Sequence, residues 1–231
     1  MVDTETTRTI VGLIGNVISF CLFLSPVPTF IQILKNKSVQ DYRPDPYVAT
    51  VLNCMMWVFY GLPIVHPDSI LIITINGIGL VIETIYVLIF LLYSPWPTRR
   101  KIIIAIIVEV LFMIVVITIT LSLLHTTKAR SNLVGVLCII FNIMMYASPL
   151  TIMRKVIKTK SVKYMPFALS LANFCNGLIW AAYALLKFDA YVLIPNSLGA
   201  LSGLVQLILY AAFYRSTKWD EKPSEVELSE A

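Results

Sequence analysis

Two asparagine–tryptophan pairs recur in this 231-residue chain at the same spacing: Asn53 with Trp57, then Asn176 with Trp180. On a helix, residues four apart share a face, so each pair presents a carboxamide beside an indole. A further pair, Asn76 and Asn196, stands about two turns into later apolar runs. A carboxamide offers one acceptor and two N–H donors, which matches a hydroxyl that both donates and accepts. Indoles can flank the C–H faces of a pyranose ring while their own N–H groups find partners. The set is neutral, so it suits an uncharged, hydroxyl-rich ring such as a sugar and disfavours charged solutes. A single membrane asparagine ordinarily bonds a neighbouring helix, and a single tryptophan ordinarily anchors at the bilayer surface. Recurrence in matched pairs favours a shared cavity.

The elements that must position these residues are membrane helices. The chain is 58% hydrophobic and 13% charged, with mean hydropathy +0.82, whereas a soluble domain carries about 25% charged residues. This excludes an ordinary water-soluble enzyme, a disordered protein and a disulfide scaffold. A crossing needs about 20 residues, and seven apolar stretches can be marked: 9–34, 47–65, 69–93, 102–124, 132–156, 167–186 and 190–214. Lys and Arg in alternate connections number fourteen on one side and four on the other. The positive-inside rule then predicts an external N-terminus and a cytosolic C-terminus. The start of the chain lacks the basic region and cleavage site of a signal peptide, so the first helix is expected to be retained. The acidic stretch from Ser216 to Ala231 reads as a disordered tail.

Self-comparison supplies the organisation. At an offset of 123, Ser25-Pro26 returns as Ser148-Pro149, Lys35–Val39 as Lys158–Val162, Asn53 as Asn176, Trp57 as Trp180 and Tyr60 as Tyr183. At an offset of 120, Asn76 and Gly79 return as Asn196 and Gly199. Helices one to three thus match helices five to seven, and the fourth stands alone. One extra crossing between two three-helix units makes the units run in the same direction. The expected fold is an all-α membrane protein of seven transmembrane helices, arranged as two parallel three-helix repeats joined by a linker helix (3+1+3). The expected divisions are 1–93, 94–131 for the linker, 132–214, and a tail at 215–231. In such repeats the substrate site lies near the midplane, at the repeat interface.

Four prolines lie near one membrane face: Pro26 and Pro149 within the first and fifth helices, and Pro46 and Pro166 at the starts of the second and sixth, with Pro44 a near alternative to Pro46. Proline removes a backbone hydrogen bond and bends or starts a helix, so these positions read equally as hinges of an inner gate or as static kinks. Glu83 and Glu109 are the membrane-embedded acids. Glu83 is matched by Gly203 and so lacks the symmetry of the asparagines, which makes it a structural group, and Glu109 receives no role. His66 and His125 fall in outer loops. With no acid or histidine at the depth of the paired residues, passive uniport is expected over proton coupling. Cys21, Cys54, Cys138 and Cys175 lie in apolar runs and read as small buried hydrophobes, with no zinc spacing. No cofactor and no metal is expected, and no catalytic pair or triad appears at one depth, so the chain does not read as an enzyme.

The chain resembles the plant SWEET sugar facilitators from about Ile10 to Tyr214. The resemblance rests on Leu24-Ser25-Pro26, Lys35-Asn36-Lys37-Ser38, Trp57 with Tyr60-Gly61, Thr74-Ile75-Asn76-Gly77, Ser148-Pro149-Leu150, Met165-Pro166-Phe167, Trp180, Pro195-Asn196 and Gln206–Tyr210. It implies bidirectional sugar uniport by alternating access and homo-oligomers in a lipid membrane. By matching positions it implies Asn76, Asn196, Trp57 and Trp180 as sugar contacts, with Leu22, Asn53, Met145 and Asn176 lining and sizing the pocket. Pro26, Pro46, Pro149 and Pro166 match the inner-gate prolines, and Tyr60, Tyr183 and Asp189 the outer gate. Sucrose-type members tend to carry smaller residues at the sizing positions, so Leu, Met and two Asn look hexose-type, glucose above all. The expected location is the plasma membrane, with the vacuolar membrane as the alternative. The alternatives in function are a sucrose-transporting member of the same family and, in a different class, a seven-helix receptor. A receptor leaves the parallel repeat unexplained.

Overall fold

A computed structural model describes residues 3–219. Among these residues there are nine helical segments and no strand: α1 (Thr4–Leu24), α2 (Val27–Asn36), α3 (Asp45–Gly61), α4 (Ile70–Tyr93), α5 (Trp96–Leu123), α6 (Thr127–Met145), α7 (Ala147–Thr159), α8 (Phe167–Leu186) and α9 (Ala190–Phe213). The pairs α1–α2 and α6–α7 each form one broken rod, leaving seven rods in all. Six of them are long and apolar enough to cross a membrane. The other is α3, at 17 residues. Helices are the form that satisfies every backbone N–H and C=O internally in lipid.

The breaks fall where proline forbids continuation. Pro26 cannot donate to Leu22 O, and Ser25 N–H bonds that carbonyl instead at 3.0 Å. In the second repeat the break at Tyr146 lies three residues ahead of Pro149. Each rod then ends at a left-handed lysine, Lys37 (φ 51°) and Lys160 (φ 53°), which are equivalent at the offset of 123. The repeated Lys-x-Lys-Ser-Val run is therefore a helix stop. The linker helix starts at Trp96, six residues before the apolar run. Pro95 caps it and Pro97 sits in its first turn, so the helix reaches back through Arg99-Arg100-Lys101.

The helices close into a ring in which α1 packs on α4, α4 on α3, α3 on α6, α6 on α9, α9 on α8, and α8 back on α1. The order maps onto itself under the repeat: α1·α4 answers α6·α9, α3·α4 answers α8·α9, and the α1·α8 seam answers α6·α3. Linker helix α5 lies against α3, α4 and α6. Glycines permit the closest crossings, as small residues do in membrane bundles. A Cβ on Gly177 would meet the backbone of α9 at Ala200 Cα, 2.9 Å away.

The core is asymmetric from end to end. At the end holding the N-terminus, one buried cluster spans both repeats, uniting Trp57, Tyr60 and Val65 with Val134, Trp180, Tyr183 and Val192. At the opposite end the apolar core divides. Phe30, Ile33, Val51 and Phe90 form a cluster of the first repeat and α5, while Met153, Val156, Val162 and Met165 form a separate cluster of the second. The repeats touch at one end and part at the other. The expected tail is described only as far as Trp219, where Ser216 and Thr217 bond the 160–162 turn; residues 220–231 lie outside the described residues.

Candidate functional site

Inside the ring is a cavity of about 560 Å³, within the range of about 300–1,000 Å³ for small-molecule sites. All eight residues singled out for substrate line it: Leu22, Asn53, Trp57, Asn76, Met145, Asn176, Trp180 and Asn196. Its described lining contains six asparagines and no Asp, Glu, Lys or Arg. Much of the rest pairs across the repeat. Ser19 corresponds to Asn142, Phe23 to Tyr146 and Thr50 to Asn173 at the offset of 123, and Ile72 to Val192 at 120.

The asparagines are oriented in matched ways. Asn76 Nδ2 donates to Ile72 O at 2.9 Å, and Asn196 Nδ2 to Val192 O at 2.8 Å, each one turn back on its own helix. One N–H is thereby spent, leaving each carbonyl and a second N–H for the cavity. Asn53 and Asn176 are held from the opposite repeat. Asn142 Nδ2 donates to Asn53 Oδ1 at 3.1 Å, and Ser19 Oγ donates to Asn176 Oδ1 at 2.6 Å. Their amide N–H groups are left to point elsewhere. Sequence reading missed Ser19 and Asn142, yet they stand at the offset of 123, and a search for any matched polar pair would have found them.

The tryptophans are both buried at 6% exposure, but they differ. Trp180 Nε1 donates to Ser19 Oγ at 3.0 Å. Trp57 Nε1 has no such protein acceptor among the described residues, so the indole donors of the two halves are not equivalent. Phe23 covers Gly79, and the Tyr146 hydroxyl approaches Gly199, where a side chain at either glycine would collide. Tyr146 also donates to Pro195 O at 2.6 Å. These two aromatics narrow the cavity next to Leu22 and Met145.

The cavity runs from the indoles to Pro46, Thr50, Leu169, Asn173 and Gln206, toward the end where the two cores part. Of the four prolines, Pro46 and Pro149 line it, whereas Pro26 and Pro166 do not. Pro44 and Pro166 are the N-caps of α3 and α8, with Pro46 a residue inside α3. The two caps are not alike, since Pro44 is already helical (ψ −19°) and Pro166 is extended (ψ 128°).

The other end is sealed by Tyr60, which is fully buried and donates from its hydroxyl to Asp189 Oδ1 and Oδ2 at 2.9 and 3.0 Å. Asp189 also caps α9 through Tyr191 and Val192 N–H. His66, read as a plain loop residue, stacks on the Tyr60 ring with centroids 4.7 Å apart and lies 3.4 Å from Asp189. Its other nitrogen is 3.0 Å from Ser131 Oγ. Burial pulls the His66 pKa below the ordinary imidazole value, against the opposing effect of Asp189. Tyr183, the equivalent of Tyr60, is likewise buried but does not meet Asp189; its ring lies under Arg8. On the same face Asp68 binds Lys187, a hydrogen bond and ion pair that hold the Asp68 carboxyl below the usual range. Glu83 and Glu109 are buried away from the cavity lining, each with one carboxylate oxygen lacking a partner.

The MtN3 family model, described as a sugar efflux transporter for intercellular exchange, matches residues 9–98 and again 132–218. The bidirectional sugar transporter SWEET5 of Arabidopsis thaliana is 62% identical over 227 residues, covering 98% of this chain and 95% of that protein. SWEET7b of japonica rice is 57% identical over 216 residues, covering 94% and 82%. A eukaryotic SWEET transporter solved at 3.7 Å superposes with a TM-score of 0.88 at 38% identity, over 92% of this chain and 99% of that one. A model that recurs once per repeat, relatives matched along nearly the whole length and a shared ring of helices agree, and the chain belongs to the SWEET family.

Proposed function

We propose that this chain is a facilitative, bidirectional uniporter of sugars, with glucose or another hexose as its substrate, working by alternating access. The observation that carries the reading is the pairing of a neutral, amide-lined cavity with an apolar core continuous across the repeats at one end and divided at the other. A solute can reach the asparagines from the divided end. Reversing that asymmetry, by parting Tyr60 from Asp189 and closing the prolines, would present it to the other side. The matched family is described as a sugar efflux transporter, and its Arabidopsis relative is a bidirectional sugar transporter.

In this reading Asn76 and Asn196 bond sugar hydroxyls, and Trp57 and Trp180 flank the ring. Leu22 and Met145, with the tethered Asn53 and Asn176, set the width. The total volume is ample for a disaccharide, so the choice of a hexose rests on local width rather than on overall capacity. Pro26, Pro46, Pro149 and Pro166 form the inner gate, and Tyr60, Tyr183 and Asp189 the outer. The chain sits in the plasma membrane with its N-terminus outside and its C-terminus in the cytosol, and it self-associates. The test is counterflow of labelled glucose and labelled sucrose in proteoliposomes: glucose exchange supports the reading, sucrose exchange alone overturns the sizing, and exchange of neither overturns sugar transport.

A further inference from the structure

The two tyrosines at the sealed end are repeat equivalents, yet they hold different partners. Tyr60 of the first repeat reaches Asp189 of the second. Tyr183 of the second repeat lies against α1 of the first, at two residues one turn apart. A Cβ on Gly12 would come within 2.9 Å of the Tyr183 ring, so the glycine makes room for the ring edge. Arg8, four residues earlier, lays its guanidinium over the ring face with Cζ 4.2 Å from the centroid. Gly12 and Arg8 together form a socket for Tyr183 on one face of α1.

Arg8 is 7% exposed, far more buried than a cation near a helix start in solvent. Its Nη1 donates to Asp68 O at 2.9 Å, and its Nε has no partner. Among the described residues no carboxylate forms an ion pair with it; the Asp68 carboxylate takes Lys187 from the second repeat instead. A structural buried arginine is ordinarily neutralised, because an unpaired buried charge is costly. Here the aromatic face and one carbonyl are the direct partners, and the Asp68 carboxylate feels the charge without pairing with it, a setting to which the flat, weakly hydrated guanidinium is suited. Such a charge returns to water readily when the helices part, which favours a contact that opens over a permanent tie. Sequence reading counted Arg8 only as a charge in an outer segment.

We infer that Arg8 is a gating residue: its contact with Tyr183 closes the α1–α8 half of the gate, as Tyr60 with Asp189 closes the other half. Each repeat thus contributes one tyrosine and one ion, with opposite ionic signs in the two halves. Arg8 does not line the cavity and touches no substrate; it acts on the balance between the two open states. The inference rests on the alternating-access reading above.

The test uses the full chain with its four cysteines replaced and spin labels introduced at Pro63→Cys and Phe188→Cys, both exposed at the sealed end, one in each repeat. Pulsed dipolar distances report the fraction closed. Arg8→Gln is expected to lower the closed-to-open ratio by about threefold to tenfold, the span of a moderately buried cation–π contact. Arg8→Lys should restore most of it, and adding Tyr183→Leu to Arg8→Gln should shift the ratio no further. KM for sugar offered at the sealed end should fall as that open state becomes more populated. Should Arg8→Gln fail to fold, Tyr183→Leu probes the same contact from the other side, with the same expected widening. Unchanged distances in Arg8→Gln or Tyr183→Leu overturn the inference, as does full additivity in the double variant. Widening in a protein that exchanges no sugar keeps the gate and refutes the transport reading instead.

Discussion

Replacing Ser19 by alanine separates a pocket that is merely lined by polar residues from one whose polar residues are pre-set. Ser19 Oγ accepts from Trp180 Nε1 at 3.0 Å and donates to Asn176 Oδ1 at 2.6 Å. One hydroxyl therefore fixes two candidate substrate contacts from the opposite repeat. Losing it deletes two hydrogen bonds of about 0.5–1.5 kcal/mol each and orphans a buried indole N–H, worth about 1–3 kcal/mol. The carboxamide and indole then re-orient toward each other or into the cavity, and the substrate must re-order them. If half of the deficit falls on the loaded state, binding weakens by about 1–3 kcal/mol, which is roughly 5- to 160-fold in affinity. Equilibrium counterflow of labelled glucose reads this as a raised half-saturation concentration with the amount of protein unchanged. Asn142→Ala is the internal comparison, since it frees Asn53 but orphans no indole and should cost less. A Ser19→Ala variant with unaltered half-saturation would refute the argument that cross-repeat tethers prepare the site.

Other perturbations follow from the same geometry. Asn76→Ala or Asn196→Ala should each lower sugar exchange about fivefold or more, since each removes a buried partner worth roughly 1–3 kcal/mol; normal uptake by either would remove those residues from the site. Pro149→Ala restores a backbone donor near the α6–α7 break and should slow exchange more than it weakens binding, a difference read by comparing exchange rate with half-saturation. Glu83→Gln keeps shape and hydrogen-bonding capacity outside the cavity lining, and sugar exchange should stay at the parent level. His66 should make the sealed end sensitive to acid. Its pKa is depressed in the closed arrangement, so closure is fully supported above the ordinary imidazole value of about 6.5 and loses support as pH falls through the lower, closed-state value. Spin-label distances across that end should lengthen on acidification in the parent and lose this response in His66→Gln, with Arg8, Lys187, Asp68 and Asp189 unchanged as the surrounding charges.

Much of this was legible from residue types alone, because a membrane makes polarity expensive and so makes each buried asparagine a signal. The offset of 123 paired Pro26 with Pro149, the two Lys-x-Lys-Ser-Val runs with each other and the two Asn–Trp pairs without any coordinate, whereas the role of those runs as helix stops came only with the backbone of Lys37 and Lys160. Three things were not legible. The partner of a repeated residue need not repeat: Tyr60 and Tyr183 look identical in sequence, but one meets Asp189 and the other Arg8, because Ser131 stands where the symmetry would require a second arginine. The tethers Ser19 and Asn142 differ in residue type, so identity matching passed over them although their positions correspond. His66 looked idle in a loop because stacking on Tyr60 depends on how the 62–69 connection folds back. That connection is longer than its counterpart at 187–189. Tertiary pairing across the α1–α8 and α3–α6 seams decides all three, and no local pattern records it.

The most direct test of the central claim is counterflow in proteoliposomes holding the purified chain, with labelled glucose and labelled sucrose followed separately, with and without a pH gradient. The account predicts glucose exchange in both directions, no accumulation driven by the gradient, and little sucrose exchange. Glucose accumulation driven by the gradient would contradict uniport, and the absence of any sugar exchange would contradict the assignment of the amide-lined cavity to sugar.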